Sequence, residues 1–172
     1  MSHQLVASLV VLSLLVTACG SEAKAPPELT DEALRNATYP LELAPGGSAM
    51  FRNGEFTSGQ TRAMLLDVRG RGVLDQDAAA DAALVIAGSG GGSGTFYYLI
   101  AVLNRNGQPN AIASAALGDR VPVHSVTVLN GQIVVKLREH GPGEPLCCPT
   151  LETTRTYELR GQTLELVSKT TP

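Results

Sequence analysis

Val121-Pro-Val-His-Ser-Val-Thr-Val-Leu129, then Asn130-Gly131, then Gln132-Ile-Val-Val-Lys-Leu137, is the stretch on which the fold turns. Asn-Gly supplies the positive φ that a tight hairpin needs. Both flanks are rich in β-branched residues, so the segment reads as two antiparallel strands. In the second strand Ile133, Val135 and Leu137 share one face, while Val134 and Lys136 share the other. Both faces are partly apolar, which suits a strand inside a sandwich or a barrel-like sheet.

The same punctuation recurs on either side. Asn53-Gly54 lies between Ala49-Met50-Phe51 and Phe56, Asn106-Gly107 follows Phe96–Leu103, and Arg160-Gly161 separates Thr156–Leu159 from Thr163–Val167. Ala82–Ala87 and Phe96–Leu103 are unbroken apolar runs and predict central strands buried on both faces, joined by the flexible stretch Gly88–Gly94. The alanines of Asp75–Ala83 suit a helical turn. Upstream, Thr30-Asp31-Glu32 predicts a helix start with Thr30 as N-cap. That helix would end near Asn36, because Tyr39-Pro40 stops it. The expected fold is mainly β, antiparallel hairpins in a sandwich or barrel-like sheet, with one short N-terminal helix and a single domain over residues 30–172.

The chain has 172 residues and a formal charge of −3, with no basic cluster, which argues against a nucleic-acid partner. Aromatic residues make up only 4% and Trp is missing, so stacking platforms for sugars or bases are not expected and the core must be aliphatic.

The N-terminus carries a different message. Leu5 to Val16 is nearly all Leu, Val, Ala and Ser, a length that fits a signal segment and falls short of the roughly 20 apolar residues of a spanning helix. It ends in Val16-Thr17-Ala18-Cys19, which resembles the lipobox of bacterial lipoproteins. The resemblance implies that residues 1–18 are a cleaved signal and that Cys19 carries diacylglyceryl and palmitate, a covalent lipid and the only cofactor expected. The n-region departs from the pattern by having His3 but no Lys or Arg. Residues 19–29 then form the lipidated cysteine and a flexible tether. Within it Gly20–Pro27, at about 3 Å per residue, reaches roughly 25 Å. Gly20 is not the Asp that resembles an inner-membrane retention signal, so in a Gram-negative host the expected place is the outer membrane, facing the periplasm.

With Cys19 assigned to lipid, Cys147 and Cys148 remain in an oxidising compartment. They lie in His140-Gly-Pro-Gly-Glu-Pro-Leu-Cys-Cys-Pro-Thr150, and three readings stand side by side. One is a vicinal disulfide stapling the loop, and another is two separate thiols. The third is a metal or redox site using Cys147, Cys148 and His140, with His124 or Glu144. The C-C spacing lacks the C-x₂-C geometry of ordinary zinc sites.

A second metal candidate is Asp75, Asp77 and Asp81, whose spacing looks like a calcium loop of the D-x-D-x-D-G-x-x-D kind. Val73 stands where the first carboxylate belongs and Ala78 where the glycine belongs, so the altered loop argues against calcium. Gly88–Gly94 is followed by Thr95-Phe96-Tyr97-Tyr98, a strand sequence without a nearby Lys, which argues against a phosphate loop. Ser21-Glu-Ala-Lys24 matches S-x-x-K by chance within the tether. No G-x-S-x-G occurs, and a lone His124 within a strand is not a catalytic arrangement.

Arg35-Asn-Ala-Thr-Tyr-Pro40, the acidic loop with Asp81–Ile86, Gly91-Gly-Ser-Gly-Thr-Phe96, Leu117-Gly-Asp-Arg120 and Cys147-Cys-Pro-Thr150 together resemble a family of exported bacterial proteins without an assigned activity. The resemblance covers about residues 34–167 and implies one exported β-rich domain, with an intact D-L-D-G-D-G loop where this chain has Val73–Ala78. The expected function is a lipid-anchored, non-enzymatic binding or structural module of the cell envelope, held to the membrane and contacting an envelope protein. The alternative is a metal- or redox-linked envelope protein built on Cys147, Cys148 and His140.

Overall fold

The two apolar runs form the centre of the molecule. In the computed structural model, which describes residues 25–171, they are β5 (Asp81–Ser89) and β6 (Phe96–Arg105). They pair antiparallel, with Val85 opposite Leu99 and Leu84 opposite Ile100. Around them β3 (Glu55–Ser58), β4 (Thr61–Gly72) and β7 (Gln108–Asp119) complete a five-stranded meander in the order β3-β4-β5-β6-β7.

Strand alternation sends Ala82, Leu84, Ile86, Ile100 and Val102 to one face, and Ala83, Val85, Leu99, Ala101 and Leu103 to the other. Both faces are covered, as continuous apolar runs require. Each fully buried Leu, Ile or Val contributes about 1.5–3 kcal/mol of transfer free energy.

The second face is covered by a four-stranded antiparallel sheet of β8 (Val123–Leu129), β9 (Gln132–Glu139), β10 (Leu151–Arg160) and β11 (Thr163–Thr170), in the order β11-β10-β9-β8. It contributes Val126, Val128, Ile133, Val135, Leu137, Tyr157 and Leu164. The two sheets approach most closely where β4 crosses β8. A Cβ added at Gly72 would lie 2.8 Å from Val128 Cγ1, and one at Gly70 would lie 3.1 Å from the Val126 carbonyl oxygen, so glycine is what lets the layers meet.

The first face is covered by the N-terminal segment. Here α1 (Asp31–Arg35) is capped by the Thr30 hydroxyl, which accepts from the Ala33 N–H at 3.1 Å. The small hairpin of β1 (Thr38–Pro40) and β2 (Ser48–Met50) follows. Leu29, Leu34, Tyr39, Leu41 and Phe51 are buried against the sheet, and the Tyr39 and Phe51 rings meet edge to face at 5.2 Å.

The hairpin turns fall where Asn-Gly predicts them. Asn53-Gly54, Asn106-Gly107 and Asn130-Gly131 all have positive φ at both residues, and Gly161 opens the turn between β10 and β11. Two expectations need correction. Asp75–Ala83 forms no helical turn, because Asp75 and Asp77 each bind the backbone N–H two residues on and so hold it in bends. Pro27 to Leu29, expected in the tether, are docked. Asn104 Nδ2 donates to the Pro27 carbonyl at 2.8 Å, Arg71 Nη1 donates to the Leu29 carbonyl at 2.7 Å, and Leu29 is buried. Residues 1–18, Cys19 and Ser21–Lys24 lie outside the described residues.

Candidate functional site

Asp75, Asp77 and Asp81 converge. Each offers a carboxylate oxygen within 4.8 Å of the others, and they are the one such group of metal-ligating side chains among the described residues. Hydrogen bonds to backbone N–H groups hold all three there. Asp75 Oδ1 accepts the Asp77 N–H at 3.0 Å, and Asp77 Oδ1 accepts the Ala79 N–H at 2.8 Å. Asp81, fully buried at the start of β5, uses both oxygens on backbone, accepting the Leu74 N–H at 2.7 Å and the Asn104 N–H at 2.8 Å. It thereby joins the start of the β4–β5 loop to the end of β6.

A cation of the protein's own sits among these carboxylates. Arg105 Nη1 lies 2.9 Å from Asp75 Oδ2 and 2.9 Å from Asp77 Oδ2. Burial works to raise the Asp75 carboxyl, but the Asp77 N–H and the Arg105 guanidinium outweigh it and hold it below the ordinary carboxylate range. Asp81 moves the other way. Burial pushes it up, the Asn104 and Leu74 N–H groups pull against that, and the Asp75 and Asp77 charges add to the rise. The exposed Val73 side chain has no oxygen to offer where the first ligand belongs. Asp75 and Asp77 hold the loop in bends, and the Arg105 guanidinium supplies the positive charge beside them.

The cysteine loop joins β9 to β10, and Glu144 organises it. Its Oε2 accepts the Gly141 and Thr150 N–H groups at 2.9 and 3.0 Å, and its Oε1 accepts the Thr150 hydroxyl. These bonds, the Thr150 hydroxyl first, hold the Glu144 carboxyl below its usual range. Gly141-Pro142-Gly143-Glu144 is a turn closed by the Glu144 N–H on the Gly141 carbonyl, with Gly143 at φ 80°. A second turn runs from Pro145 to Cys148.

Cys147 and Cys148 form a vicinal disulfide, and both residues are exposed. Leu146 beside them is 68% exposed, whereas Pro149 is buried and seats the loop. His140, Cys147 and Cys148 do not gather into a ligand set. The two ring nitrogens of His140 are shielded from solvent without hydrogen-bond partners. His124 is on the surface with its Nε2 3.6 Å from Glu152, which also binds Arg138. Glu144, weighed as a ligand in the sequence, is occupied in holding the loop.

The glycine stretch is pinned rather than free. Thr95 N–H donates to Asp119 Oδ1 at 2.8 Å, Arg120 N–H donates to the Thr95 carbonyl at 2.7 Å, and Arg120 Nη2 donates to the Ser93 carbonyl at 2.6 Å. Beside this loop a hollow of about 350 Å³ opens between Glu55, Arg62, Met64, Ala87, Ser89 and Thr95.

Two ionic groups were not singled out in the sequence. Arg105 gave no signal beyond being a charge between an apolar strand and a turn. Glu139 is next in register after Ile133, Val135 and Leu137, so its inward position was readable from the alternation. It is buried and paired with Arg155 and with Lys169 Nζ at 2.6 Å. Burial would raise its carboxyl, but the hydrogen bonds and charges of Lys169 and Arg155 prevail and hold it low.

No protein-family model, curated protein or solved structure matches the chain, so the functional reading rests on these residues themselves.

Proposed function

We propose that the chain is a lipid-anchored β-domain of the bacterial cell envelope, a non-enzymatic module that binds an envelope protein or serves structurally. The observation that carries this is Val16-Thr17-Ala18-Cys19 closing the apolar run from Leu5. Two acyl chains or more make a stable anchor where one alone is marginal, so Cys19 would be a permanent attachment.

The entry of the chain into the domain supports the reading. Pro26 lines one hollow with Asp77, Ala78, Ala79, Asn104, Arg105 and Asn106. A tether from Cys19 therefore joins the end that carries the acidic loop and the Asn106-Gly107 turn. The hollow beside Gly88 and Thr95 opens at the other end of β5, free for a partner. In a Gram-negative host Gly20, in place of an Asp after Cys19, favours the outer membrane with the domain in the periplasm.

Fractionation and intact mass test the proposal. The expected result is a membrane-bound protein that has lost residues 1–18 and carries diacylglyceryl and acyl groups on Cys19, with a Cys19→Ser variant that keeps residues 1–18 and carries no lipid. A free Cys19 thiol, or a Cys19→Ser variant that is still cleaved after Ala18, refutes it.

A further inference from the structure

We propose that the Cys147–Cys148 disulfide is a reversible redox site, reduced by a protein dithiol and re-formed without unfolding of the domain. A disulfide stabilises chiefly by closing a loop of chain in the unfolded state, and that contribution grows with loop length. Adjacent residues enclose no such loop. The fold therefore gains nothing of this kind from the bond.

The loop is also held by other means. Glu144 takes three hydrogen bonds, the turns at Gly141–Glu144 and Pro145–Cys148 close on backbone carbonyls, and Pro149 is buried. Sulfur is not needed for any of these contacts. Both cysteines are exposed, so an incoming thiolate has access, and the 68% exposed Leu146 offers an apolar contact next to the reacting sulfurs. The loop lies at the end of β9 away from the Asn130-Gly131 turn. There the Arg138 N–H binds the Pro122 carbonyl, two residues from Arg120, which pins the glycine stretch.

A thiolate of the dithiol attacks one cysteine sulfur, the Cys147–Cys148 bond breaks, and a mixed disulfide forms. The second thiolate of the dithiol displaces the protein sulfur. Cys147 and Cys148 leave as thiols and the dithiol leaves as a disulfide, with two electrons and two protons passing to the protein. Reoxidation runs the same steps in reverse.

The test uses the lipidated protein in detergent, maleimide labelling and intact mass. As isolated, the expected result is no label. After dithiothreitol without denaturant two labels are expected, with the melting midpoint kept within about 2 °C. Reduced thioredoxin is expected to give the same two labels and to yield one equivalent of its own disulfide. In a parallel reduced sample left unlabelled, air or an excess of oxidised glutathione is expected to restore the disulfide and abolish later labelling. Labelling that requires denaturant, a fall in the midpoint of more than about 5 °C on reduction, or two free thiols in the protein as isolated overturns the proposal. A third label marks an unmodified Cys19 and so tests the anchor separately.

Discussion

Replacing Asp81 by Asn changes one oxygen to an amide and almost nothing in size, yet it strikes the most deeply buried carboxylate among the described residues. Asp81 accepts the Leu74 and Asn104 N–H groups on separate oxygens, at 2.7 and 2.8 Å, with no solvent contact. Asn has one acceptor oxygen, so one buried N–H would face an NH₂ group, donor against donor. An orphaned buried donor costs about 1–3 kcal/mol, and the lost bond was to a charged acceptor. Against this, burial has raised the Asp81 carboxyl, and removing the charge relieves part of that penalty. The net expectation is a loss of about 2 kcal/mol, or about 4–8 °C in melting midpoint for a domain of this size.

The sign with pH follows from the raised carboxyl. Its contribution favours folding below the unfolded carboxyl pKa and is lost as pH rises through the folded one. The gap between wild type and Asp81→Asn should therefore widen as pH is lowered through that window. Urea unfolding followed by far-ultraviolet circular dichroism, with an unchanged slope, reads both effects. Asp75→Asn and Asp77→Asn serve as controls. Their side chains are 24% and 42% exposed, and each is expected to cost less than about 1 kcal/mol. An Asp81→Asn variant within about 0.5 kcal/mol of wild type refutes the double-acceptor argument. So does an Asp75→Asn variant that costs as much as Asp81→Asn.

Other perturbations separate the remaining contributions. Arg105→Gln leaves Asp75 and Asp77 without their cation, so its melting midpoint should fall below wild type and recover as sodium chloride screens the carboxylates; a midpoint indifferent to salt would count against this role. Arg155→Met strands a buried Glu139 with Lys169 alone and should cost about 3 kcal/mol in urea unfolding, much of it regained when Glu139 is made apolar as well. Because Glu139 is held below the ordinary range, its contribution is present above the unfolded carboxyl pKa and fades as pH falls through the folded one, so acid unfolding of Arg155→Met should be shallower than that of wild type. Gly72→Ala, whose new methyl would meet Val128, should cost about 1–3 kcal/mol, whereas Gly131→Ala meets open space and should cost about 1 kcal/mol, from its φ of 77° alone.

What the sequence made legible was local. Asn-Gly at 53, 106 and 130 constrains its own backbone, so the turns could be placed without knowing what they joined. Ala82–Ala87 and Phe96–Leu103 declared burial on both faces because neither face contained a polar residue. The long strands β4 and β7 were harder to read. β4 carries Arg62, Asp67, Arg69 and Arg71, and its pairing with β5 slips between Leu65 and Arg69. The pairing of β6 with β7 slips twice, so alternation along β7 does not hold a single phase. The three aspartates were visible as a pattern, but their cation was not, since Arg105 is 30 and 28 residues from Asp75 and Asp77. A charge pair made across a fold leaves no spacing to recognise.

The meander decides which features share an end. Antiparallel neighbours put the β4–β5 loop and the Asn106-Gly107 turn on one side, with Pro26 and Pro27 docked beside them. The glycine stretch and Arg120 fall on the other side, and the Arg138 bond to Pro122 draws the base of the cysteine loop toward them. The acidic loop gathers three carboxylates at the first of these ends. Arg105 offsets part of that charge within the protein, with no dependence on a dissolved cation. The disulfide lies toward the other end, with both cysteines exposed. Acidic loop and cysteine pair thus divide along the strand axis, because β5 and β6, at roughly 3.3 Å per residue, hold their two ends about 30 Å apart.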